Sequence, residues 1–109
     1  MIQFNKNNSI YIDEENDTYY CLIKGEKINS IQDFYIEISK SLSIPAYFGQ
    51  NLDALEEVIH DLNWIENKQV FLIIQNAESI ENNLEDDYYE IIDILNDCEN
   101  SKLKTILIA

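Results

Sequence analysis

Apolar residues recur along this chain in two modes, short unbroken runs and longer stretches spaced at three and four. Thr18-Tyr19-Tyr20-Cys21-Leu22-Ile23 is rich in strand-forming residues and stops at Lys24-Gly25, which predicts a buried strand and a turn. Ser30 and Asp33 form a capping-box pattern ahead of Ile31, Phe34, Ile38 and Leu42, so a helix begins there. Pro45 ends it, because the residue before a proline is pushed out of helical geometry. Leu52, Leu55, Val58, Ile59 and Leu62 then fall in one helical arc, with Asp53, Glu56, Glu57, His60 and Asp61 in the opposite one. Asn51 is placed to cap this second helix, and Gly49 to supply backbone freedom in the loop before it.

Val70-Phe71-Leu72-Ile73-Ile74 is an apolar run without alternation, the pattern of a strand covered on both faces. Leu84, Tyr88, Ile91, Ile92, Leu95 and Cys98 predict one more helix over residues 84–98, and residues 105–108 a third buried strand. Strands separated by helices require right-handed parallel crossovers, so the expected fold is α/β, a small three-stranded parallel sheet packed with helices. Ser9-Ile10-Tyr11-Ile12, joined to the first strand by the acidic residues 13–17, forms either a hairpin with an antiparallel edge strand or a frayed tail. Residues 1–17 are accordingly read as an N-terminal extension or edge strand, and residues 18–109 as the main domain.

Length and charge narrow the function. The 109 residues suit one domain, with no apolar run of membrane length and no secretory signal after Met1, so a cytoplasmic location is expected. Acidic residues number 21 against 7 basic ones, all lysine, for a formal charge of −14. A nucleic-acid or anionic membrane surface needs clustered cations, so neither is the expected partner. A basic protein is the natural complement. Cys21 and Cys98 are far apart in sequence and without metal-ligand spacing, as buried thiols are.

Catalytic chemistry finds little support. His60 is the only histidine and has no neighbouring serine or cysteine to form a nucleophile–base pair. Gly25 and Gly49 cannot make a phosphate-cradling loop, and Glu85-Asp86-Asp87 lacks the calcium-loop pattern. No enzyme activity, metal or cofactor is expected. Asp53 and Glu57 stand four apart and repel by roughly 0.2–0.5 kcal/mol unless a positive group arrives. Their arc is either a solvated face on an acidic protein or a plug for a cationic site.

Tyr47-Phe48-Gly49-x-Asn51-Leu52-Asp53-Ala54-Leu55 resembles the signature of the barstar family, intracellular inhibitors of barnase-type ribonucleases. Ile23-Lys24-Gly25-Glu26-Lys27-Ile28, then Ser30-Ile31-x-Asp33-Phe34, resembles that family's first strand, turn and helix, and Thr105-Ile106-Leu107-Ile108-Ala109 its closing strand. The resemblance implies the same α/β architecture and a one-to-one complex in which the acidic helix and preceding loop occlude the active site of a basic secreted ribonuclease or related toxin domain. It places Asp53 and Glu57 at the two helix positions whose family aspartates contact the ribonuclease active site, Glu57 being one methylene longer. Tyr47 corresponds to a contact tyrosine. Gly49 and Asn51 correspond to contact-loop residues or simply shape and cap the loop. Glu56 replaces an aromatic contact, and His60 and Asp61 complete the expected partner-binding face. Trp64 either substitutes for a tryptophan contact whose position Leu62 now holds or packs in the core, and a late-helix acidic contact falls to Asp97 or Glu99. The alternative is an immunity protein of this fold whose partner is a different basic toxin domain.

Overall fold

β-branched and aromatic residues place Thr18–Lys24 in a strand whose Tyr19, Cys21 and Ile23 point into the core. A computed structural model describes residues 9–45, 49–97 and 102–109. Strand β1 (Ile10–Asp13) precedes β2 (Thr18–Lys24), a 3₁₀ turn (Gly25–Lys27) and helix α1 (Ile31–Ser41). Helix α2 (Leu52–Asp61), β3 (Gln69–Gln75), α3 (Ala77–Leu84), α4 (Asp86–Asn96) and β4 (Leu103–Leu107) follow.

The sheet has the order β1-β2-β3-β4. β2, β3 and β4 run parallel, with Cys21 opposite Leu72 and Leu72 opposite Thr105. β1 adds an antiparallel edge, Ile10 opposite Cys21 and Asp13 opposite Thr18. Residues 10–24 therefore form a hairpin, and among the described residues the sheet has four strands. Its turn is held by Asp13, whose carboxylate accepts from the Asn16 backbone N–H at 3.2 Å and side-chain amide at 2.7 Å. Those bonds stabilise the ionised form and lower the Asp13 pKa.

Tyr19, Cys21, Ile23, Val70, Leu72 and Ile74 join Phe34 and Ile38 of α1, Leu55 and Ile59 of α2, Ile80 of α3, and Ile91 and Leu95 of α4 in one core cluster. β3 departs from the expected two-sided burial, because Val70, Leu72 and Ile74 are buried while Phe71 and Ile73 are only partly so. On that second face Tyr20 stacks on Phe71 at 5.4 Å between centroids, and Tyr11 lies 5.9 Å from Tyr20. β4 likewise differs from the buried third strand expected. It lies at the sheet's edge, leaving Ile106, Leu107 and Ile108 between 42 and 47 % exposed.

The helix expected over residues 84–98 is α4, which starts at Asp86, and a further helix not expected from the sequence, α3, precedes it. Glu85 (φ 54°, ψ −119°) ends α3 and opens α4, a backbone conformation that is strained for a residue with a side chain. The apolar spacing runs through the break, since Leu84 closes α3 while Ile91 and Leu95 are buried from α4. Tyr89 of α4 donates its hydroxyl to Glu81 of α3 across the joint. Cys21 is fully buried, with its thiol against the Phe71 carbonyl, and desolvation pushes its pKa up; Cys98 lies outside the described residues.

Gly25 is required by close approach rather than by its dihedrals. A Cβ there would collide with the carbonyl oxygens of Gln75 and Asn76, backbone atoms at the end of the central strand. Gly25→Ala should cost about 1–3 kcal/mol of stability, as overpacking does, read from the denaturant midpoint; an unchanged midpoint would refute the close approach.

A second expectation concerns alkaline pH. Burial pushes the Tyr19 phenol from 10.0 up to about 12, so between those values the unfolded chain ionises this group while the folded chain does not. Its contribution is complete below pH 10 and is lost as pH rises through about 12. Tyr35, Tyr88 and Tyr89 are raised too and act in the same sense. Tyr19→Phe should flatten the alkaline loss in stability across that window, and an identical pH profile would contradict it.

Candidate partner-binding helix and its acidic cleft

α2 begins where Asn51, in extended geometry, accepts the Ala54 N–H on Oδ1 at 2.8 Å and the Leu55 N–H on its carbonyl at 2.9 Å, so the expected N-cap forms. The turn before it differs from expectation. The left-handed residue is Gln50 (φ 50°), not Gly49, so the freedom expected of Gly49 is not used. A Cβ on Gly49 would meet Ala54 Cβ and Asn51 Nδ2 at 3.4 Å, an ordinary contact.

Leu55, Val58 and Ile59 are buried, which turns Asp53, Glu56, Glu57, His60 and Asp61 to solvent. Fully burying one such apolar side chain contributes about 1.5–3 kcal/mol, several times the Asp53–Glu57 repulsion. Packing therefore decides, and the helix forms in spite of its charge pattern. Tyr47 lies outside the described residues. Gly49 and Asn51 stand exposed immediately before the helix.

The structure adds to this face. Glu56 and His60 line a cleft of about 260 Å³ with Asp93, Ile94 and Asp97 of α4. Asp97 thus stands beside α2, as one of the two late-helix candidates; Glu99 lies outside the described residues. Asp93 was missed, although its place four residues before Asp97 on the face opposite Ile91 and Leu95 was a usable signal. Trp64 packs partly buried against the core and donates its indole N–H to the Leu42 carbonyl at 2.8 Å.

Carboxylates on two adjoining helices can accept charge-assisted hydrogen bonds from arginine or lysine. Among the described residues, no group of three or more His, Cys, Asp or Glu side chains is disposed to hold a metal ion. No helix there is long and apolar enough to cross a membrane. Fold and face together define a small α/β protein that presents an acidic helix braced on a sheet. Residues 19–107 match the family model described as Barstar (barnase inhibitor), and the chain belongs to the barstar family. β1 precedes the matched region, which opens within β2.

The cap and the glycine make opposite predictions. Asn51→Ala should lower stability by about 1 kcal/mol through loss of the cap, whereas Gly49→Ala should change it by less than about 0.5 kcal/mol. Thermal melts of both variants decide this; a larger loss at Gly49 would reverse the assignment.

Proposed function

We propose that the chain is a non-enzymatic intracellular inhibitor that binds a basic barnase-type ribonuclease one to one and occludes its active site with α2 and the loop before it. The observation that carries this reading is the outward row of Asp53, Glu56, Glu57 and Asp61 on a helix whose other face is locked into the core, in a chain of the barstar family. Ribonucleases hold the RNA phosphate with cationic side chains, and a fixed carboxylate in that pocket accepts the same hydrogen bonds. Asp53 and Glu57 act as that phosphate mimic. Gly49, Asn51 and Tyr47 contribute from the loop, and Glu56, His60 and Asp61 extend the surface. Asp97, across the cleft from Glu56 and His60, supplies the late-helix acid.

The formal charge of −14 steers a basic partner toward this face. A second reading, an immunity protein against a different basic toxin domain, is favoured by two residues. Glu56 stands where the family resemblance implies an aromatic contact, and Glu57 where it implies an aspartate. Both keep the surface acidic while changing its shape.

Removing one carboxylate of a desolvated charge pair leaves the partner's cations unpaired. Asp53→Ala and Glu57→Ala should each weaken binding by about 2–5 kcal/mol, the scale of truncating one partner of a desolvated interfacial charge pair. Folding should be nearly unchanged because both residues are exposed. Titration calorimetry with a barnase-type ribonuclease, alongside RNA-cleavage competition, tests this. Parent-like binding by both variants, or inhibition that leaves RNA binding intact, would contradict the reading.

A further inference from the structure

The end of α1 accounts for its final carbonyls in two ways. Ser43 adopts the left-handed conformation (φ 53°), its N–H donates to Lys40 O at 3.3 Å, and the Ile44 N–H donates to Ser39 O at 2.8 Å. This is a Schellman turn with serine in the place glycine favours. The next two carbonyls are capped by aromatic side chains. The Tyr19 hydroxyl donates to Ser41 O at 2.7 Å and the Trp64 indole N–H to Leu42 O at 2.8 Å. Tyr19 also lies 3.2 Å from Ser43 Oγ. Trp64 follows the far end of α2, so its bond brackets the contact loop and the whole acidic helix at their base. Just beyond it, Lys102 Nζ donates to Ile65 O at 2.6 Å, tying the same turn to the start of β4.

From this arrangement we infer that Trp64 and Tyr19 are positioning residues for recognition: they clasp the two ends of the segment that carries Asp53 and Glu57 and fix α2 against α1 before a partner arrives. The inference rests on the inhibitor reading. Tyr19 is 5 % exposed, and the indole nitrogen of Trp64 is engaged within the protein, so both side chains act through the backbone they hold. Preorganising a binding segment lowers the ordering cost of association, so loosening it reduces affinity without removing a contact.

Trp64→Phe and Tyr19→Phe delete one donor each and keep the apolar bulk; the second serves if the first does not fold. In the free protein, exchange of the Ser43 and Ile44 amides should quicken about two- to tenfold, and affinity for a barnase-type ribonuclease should fall by a similar factor, as loss of one net hydrogen bond implies. The penalty of Trp64→Phe should shrink by about half or more in an Asp53→Ala background, because residues that act through one element are non-additive, whereas a purely global stability effect would add. Unchanged amide exchange in both variants overturns the clasp itself. Weaker binding with unchanged exchange also overturns it, since Trp64 would then touch the partner directly. A parent chain that inhibits no ribonuclease overturns the underlying reading instead, a result distinguishable from either.

Discussion

Apolar contact between the inner face of β2 and β3 and the helices laid across it governs everything else in this molecule. Cys21, Ile23, Leu72 and Ile74 are buried almost completely, as are Phe34, Ile38, Leu55, Ile59 and Ile91 facing them. Because α2 must turn Leu55 and Ile59 inward, its carboxylates have only the outward direction left. An acidic helix with like charges four apart would be marginal alone. Anchored in the core through Leu55 and Ile59, it becomes a fixed acidic surface.

Among the described residues the same sheet leaves apolar surface outside the core on the Tyr11–Tyr20–Phe71 face and at the β4 edge with Ile106 and Leu107. Lys104 lies in that edge strand, a device that discourages edge-to-edge pairing. The formal charge of −14 opposes self-association as well. Charge thus counters the self-association that an open-faced sheet invites.

Elements with strong local signals were legible in the sequence. Ser30 and Asn51 cap helices where expected, the residues at 18–23 form a strand, and the periodicity of α2 separated its two faces correctly. What escaped is set by tertiary contact. The break at Glu85 has no glycine or proline to mark it, and the apolar spacing continues across it. Positive φ falls on Ser9, Asp17, Ser43, Gln50, Leu62, Asn76 and Glu85 and on neither glycine, so glycine position misled where it was used at Gly49. An unbroken apolar run at 70–74 could not disclose that one face of β3 is only partly covered. The acidic face of α2 was readable, whereas its partnership with Asp93 and Asp97 required the packing of α4 beside α2. The clasp by Tyr19 and Trp64 was equally hidden, since those bonds link residues about twenty positions apart.

The central claim is that α2 with its adjoining cleft is the surface that meets a basic ribonuclease. An amide chemical-shift footprint of the chain, free and saturated with a barnase-type ribonuclease, tests it most directly. The account predicts the largest changes at Gly49, Asn51, Asp53, Glu57, Asp61 and Asp97, with little at Tyr11, Tyr20 or Ile106. A footprint centred on the outer sheet face or the β4 edge, with α2 unmoved, would contradict it.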